Sequence, residues 1–135
     1  MNSETPQTRT VTVEREIPYK PEKIWRALTT PHLIEEWLMK NDFAPVADHS
    51  FTLRGDWGAA DCKVLAIEPP NTLSYSWNAM GLKSTVTWTL TPTDKGTLLR
   101  MDQAGFPMDH EQAYRGAHWG WNQFFDKMAQ VLERE

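Results

Sequence analysis

Tyr114, His118, Trp121 and Phe125 recur at three- and four-residue intervals near the carboxy terminus, a spacing that places all four along one side of a helix. A phenol and an imidazole on such a stripe can donate or accept protons, and the indole and phenyl rings make a binding wall. Segments that alternate at the strand period add Tyr75, Trp77, Trp88 and Met101 on their apolar faces, with Trp37, Phe51 and Leu53 upstream. A hydrophobic ligand site needs this kind of lining with a few placed polar groups. Buried tyrosine and tryptophan also need partners for O–H and N–H, which a wet, ligand-accommodating hollow supplies more easily than a dry core. Taken singly, each of these residues packs as core more readily than it lines a site; the set is more telling than its members.

Catalysis would need a nucleophile with its base, or paired carboxylates, and neither assembles. Asp109, His110 and Glu111 stand at the start of the last helical stripe, where acidic residues favour the helix dipole and the histidine is expected to be solvated. His118 is assigned a rim or polar-tip role. His32 and His49 are separated, without a carboxylate motif, and the single cysteine, Cys62, has no second thiol for a disulfide or a zinc pattern. Cys62 is expected to be a buried strand residue, because only Lys63 adjoins it and strand neighbours point oppositely. The sequence thus assigns no catalytic residue, no metal and no cofactor, and reads as a binder rather than an enzyme.

The chain has 135 residues, 40% hydrophobic and 24% charged, which fits one domain over residues 1–135 with a core from about 8 to 134. Its net charge of −4, with no basic stripe, argues against nucleic acid. No apolar run approaches the roughly 18 residues of a membrane span, and MNSETPQTRT lacks the apolar stretch of a secretory signal, so a cytoplasmic location is expected. Seven tryptophans, five phenylalanines and three tyrosines are a large allotment for one small core and point to an apolar partner. Trp57 and Trp119 supply the competing reading, an aromatic patch for a protein partner. A monomer or weak dimer is expected.

The elements that would position these residues follow from period and punctuation. Met1 to Gln7 is polar and expected to be loose; Val11, Val13 and Ile17 alternate with polar residues as a first strand. Arg15 interrupts that strand's apolar face, so it is expected at a sheet edge or beside a carboxylate. Pro21 suits the first position of a helix carrying Ile24, Trp25 and Leu28, and Pro31 opens a second short helix with Leu33, Ile34, Trp37 and Leu38. NDFAPVADHS has no sustained period and reads as a crossing loop. From Phe51 to Met101 five strands alternate, with turns near Gly55, after Pro69 and Pro70, around Asn78 and Gly81, and at TPTDKG. From about Asp109 to Glu133 runs a long helix whose stripe includes Trp121, Phe125 and Met128, with Gly116 and Gly120 one turn apart, where a backbone or ligand can approach closely. The result is an α+β arrangement: a curved antiparallel six-stranded sheet covered by the carboxy-terminal helix.

That order, with VTVEREIPYKPEKIWRALTTPHLIEEW, VLAIEPPNTLSYSW and HWGWNQFFDKMAQVLE, resembles the START-like superfamily and, within it, the activator of heat-shock-protein-ninety ATPase homologue family. The resemblance covers roughly Val11 to Leu132. It departs at Asp48 and His49, where relatives often carry a glycine pair, and at Leu38, where a second tryptophan is common after the first. The resemblance implies a helix-grip fold with a hollow, between sheet and long helix, that holds apolar or amphipathic small molecules of lipid-, flavonoid- or polyketide-like type. Some superfamily members are cyclases or aromatases on polyketides. The eukaryotic namesake stimulates a chaperone ATPase and carries a further amino-terminal domain, for which the few residues before the first strand leave no room, so a chaperone-associated role ranks below ligand binding.

Overall fold

Strand β1 (Thr8–Ile17) ends where Pro18 withdraws a backbone donor, and Pro21 opens helix α1 (Pro21–Thr29) from a position whose N–H would be unpartnered anyway. The structure, a computed structural model, describes residues 7–135; the loose stretch expected at the amino terminus lies, apart from Gln7, outside the described residues. Helix α2 (Pro31–Trp37) again starts at a proline, and strands β2 (Lys40–Asn41), β3 (Ser50–Gly55), β4 (Gly58–Glu68), β5 (Thr72–Ala79), β6 (Leu82–Thr93) and β7 (Gly96–Pro107) precede the long helix α3 (Glu111–Arg134).

The sheet order is β1-β7-β6-β5-β4-β3-β2 with every pair antiparallel. Seven strands stand where six were expected. The addition is β2, whose Lys40 and Asn41 pair with Arg54 and Leu53; two residues are too short to carry a period. Since β1 and β2 are the two edges, α1 and α2 carry the chain from one side of the sheet to the other.

Inward residues align in levels across the strands. Val11, Gln103, Val86, Tyr75 and Val64 are successive cross-strand partners, and Val13, Met101, Trp88 and Leu73 form the level beside them. Trp88 sits at the centre, fully buried, with ring centroids of Trp37, Trp121 and Phe125 each 5.6 Å away. Edge-to-face and tilted pairs at that spacing add about 0.5–1.5 kcal/mol each to the gain from area burial.

Helix α3 grips the sheet unevenly. Trp121, Phe125, Met128, Val131 and Leu132 are buried, whereas Ala113, Gly116 and Trp119 in its first half are exposed. Two inward arginines of β1 hold it: Arg9 pairs with Glu111 at its start, and Arg15 reaches Asp126 at 2.7 Å. Arg15 therefore lies on an edge strand and beside a carboxylate, as its interruption of the apolar face required.

Candidate functional site

The uneven grip leaves a groove of about 680 Å³ between the first half of α3 and the sheet. Gly116 and Gly120 line it, and a Cβ built on either meets nothing within 4 Å, so the helix surface there is empty space rather than packing. Trp77, Gln103 and Trp121 form its floor, each less than a tenth exposed. Leu82, Phe106 and Phe124 line it further. Its rim is apolar and exposed: Trp57 at 44%, Trp119 at 67% and Met80 at 87%. Met80 and Gly81 form the β5–β6 turn with φ of 52° and 83°, the left-handed pair of a two-residue hairpin, which lifts the Met80 thioether clear at the tip. A second, more polar recess of about 540 Å³ adjoins the groove through Met39, Trp57 and Phe124 and is lined also by Glu35, Lys40, Arg54 and Asp56.

The sequence-assigned residues divide into groups. Trp77 and Trp121 face the groove, with ring centroids 5.4 Å apart. Trp37, Phe51, Leu53, Tyr75, Trp88, Met101 and Phe125 are gathered behind that floor as closed packing, without an open face on the groove. Tyr114 is half-buried beyond one wall, edge-on to Phe106 at 6.0 Å, with the Arg9 guanidinium 4.1 Å above its ring. His118 is exposed beside Tyr114, Arg115 and Asn122, in a shallow surface depression rather than in the groove.

The indoles of Trp37, Trp88 and Trp121 find their partners inside the protein rather than in a wet hollow. Trp37 Nε1 donates to the Ala27 carbonyl at 2.8 Å, and Trp88 Nε1 to the Tyr75 hydroxyl at 3.0 Å. Trp121 Nε1 donates to Gln103 Oε1 at 2.7 Å, and Gln103 Nε2 donates to Ser84 Oγ at 3.0 Å. A dry aromatic core was therefore attainable, because single polar side chains and a helix carbonyl suffice for the N–H groups. Burial drives the Tyr75 phenol far above its usual pKa, outweighing the hydrogen bond from Trp88, so it stays protonated. Cys62 is buried as expected, and its thiol is pushed up to about 12, chiefly by burial, with Asp61 and Asp42 adding to it.

Gln103, Met39, Phe106 and Phe124 were not assigned to a site from the sequence. The signal for Gln103 was present: it continues the two-residue spacing of Leu99 and Met101 on an inward face where the alternation calls for another apolar residue. The glycine spacing at Gly116 and Gly120 did mark the wall of the groove. Trp57 and Trp119, assigned to a competing protein-binding patch, line the rim of this same groove.

A family model described as activator of Hsp90 ATPase homolog 1-like protein matches residues 18–133. Among solved structures, a protein from Mesorhizobium loti is 59% identical with a TM-score of 0.90, over 93% of this chain and 98% of that one. DynU16, a protein in the dynemicin biosynthetic locus, is 26% identical with a TM-score of 0.84; the match covers 92% of this chain and 47% of that one. CalU16 from Micromonospora echinospora is 25% identical with a TM-score of 0.81, over 93% of this chain and 76% of that one. No curated protein matches the chain.

Proposed function

This chain belongs to the activator of Hsp90 ATPase homolog 1-like family, and from that premise we propose that it binds a hydrophobic or aromatic small molecule in the groove beneath the first half of α3. The observation that carries the reading is the groove itself: about 680 Å³ of space roofed by two glycines and floored by two indoles. That volume lies within the roughly 300–1,000 Å³ typical of small-molecule sites. Likeness to DynU16, a protein in the dynemicin biosynthetic locus, supports a small-molecule partner over a purely structural role. Binding requires no chemistry, and none is part of the proposal.

Affinity follows from area. A ligand burying about 300 Å² of apolar surface gains roughly 7 kcal/mol at about 25 cal/mol per Å². Association takes back about 4 kcal/mol or more, while stacking and a hydrogen bond return about 1–3 kcal/mol, so micromolar dissociation constants are expected rather than nanomolar ones.

Tryptophan fluorescence, corrected for ligand absorption, should change saturably on titration with one class among lipids, flavonoid-like aromatics and polyketide-like phenols. Gly120→Leu places a side chain in the open space under α3 and should abolish that change while the protein keeps its melting temperature. Saturation unaltered by Gly120→Leu would put the ligand elsewhere. The exposed Trp119 and Met80 favour a second reading, a protein partner seated on the rim, and the absence of saturation with every class would turn the search there.

A further inference from the structure

Gln103 is 3% exposed on an inward strand position, yet it lines the groove. Its amide orientation is fixed by a neighbour that allows no choice. An indole N–H can only donate, so the atom 2.7 Å from Trp121 Nε1 must be the carbonyl oxygen of Gln103. The amide nitrogen then faces Ser84 Oγ at 3.0 Å and donates to it, while the Ser84 hydroxyl donates onward to the Trp77 carbonyl at 2.8 Å. Every proton in this chain is directed.

An amide side chain has two lone pairs and two N–H bonds. The network uses one of each. We propose that the remaining lone pair and N–H of Gln103 select, among apolar molecules, those bearing a hydroxyl or phenol, the group that donates to the one and accepts from the other at a single point. The inference rests on the reading of the groove as a ligand site and names the ligand class within it. Apart from the indoles, the other polar side chain lining the groove among the described residues is His110, which stands exposed at its mouth. Away from Gln103 the floor offers at most an indole N–H, which donates but cannot accept, so a ligand hydroxyl there would lose the hydrogen bond it donates to water and regain none.

The test is a matched series titrated by calorimetry: 2-naphthol, 2-methoxynaphthalene, which accepts but cannot donate, and 2-methylnaphthalene, which does neither. The wild-type protein should bind 2-naphthol about five- to tenfold more tightly than 2-methylnaphthalene, against the order that transfer from water dictates, with the methoxy compound nearer the methyl one. In nitrogen-15 spectra the Gln103 side-chain amide should shift with 2-naphthol and not with 2-methylnaphthalene. The double variant Gln103→Met with Trp121→Phe removes both partners, so no buried indole donor is orphaned, and it should erase the preference. Equal binding of naphthol and methylnaphthalene by the wild type, or a preference that survives in the double variant, overturns this inference alone. Failure of all three compounds to bind overturns the inference, and it overturns the ligand-binding reading as well only if no class in the fluorescence titration saturates.

Discussion

At the scale of single residues, depth sets reactivity. Cys62 is free of any disulfide and 5% exposed, facing into the sheet from β4, with its thiol pushed up to about 12. At pH 8 almost none is thiolate, and the sulfur cannot be reached without opening the fold. A disulfide reagent such as 5,5′-dithiobis(2-nitrobenzoate) should therefore leave the native protein untouched for hours and react within minutes in 6 M guanidinium. Fast reaction under native conditions would show that β4 opens locally. The same reasoning separates Trp121 from Trp88, which share the aromatic cluster: one reaches the groove and the other is sealed beneath it.

At the scale of elements, the first half of α3 is tethered to β1 by an ion pair. Glu111 bonds Arg9 on β1 and Arg115 one turn along, and these hydrogen bonds, that from Arg9 first, hold its carboxyl below the ordinary value of 4.5. A carboxyl whose folded-state pKa is lowered contributes stability that is present above the unfolded value and lost as pH falls through the folded one. Glu111→Gln should thus lower Tm at pH 7, and the gap to wild type should narrow steadily below about pH 4.5. A gap that stays constant down to pH 2.5 would mean that Glu111 acts by packing rather than charge. How much was legible in advance also sorts by element. The strands and both proline-started helices were readable because each carries several turns of its period or a fixed-φ residue at its start, as with Pro21 and Pro31. β2 was not, because two residues have no period. The groove was half legible: Gly116 and Gly120 are a local signal, but whether Trp88 or Trp77 ends beside it depends on where α3 lifts from the sheet. That is set by the tethers of Arg9 and Arg15, partners over a hundred positions away in sequence.

At the scale of the whole molecule, the two halves of α3 divide stability from function. Residues 121–132 carry the buried stripe, and opening them means unfolding the core. The first half carries Gly116 and Gly120, each about 1 kcal/mol less favourable in a helix than alanine, and its outer residues are exposed, so it should open locally at a fraction of the global free energy. Opening that half dismantles the groove, since Ala113, Gly116, Ala117 and Gly120 are its roof. A ligand bound there must then oppose local opening by RT ln(1 + [L]/Kd), about 2.7 kcal/mol at a concentration of 100 Kd, which slows exchange roughly a hundredfold. Amide hydrogen exchange with 2-naphthol at such a concentration should therefore slow selectively over residues 113–120 and the β5–β6 turn at Met80 and Gly81. Residues 128–132 should slow only to the extent that they exchange through global unfolding. Uniform slowing along the whole helix would mean that the two halves open as one unit, and protection confined to other strands would place the ligand outside the groove.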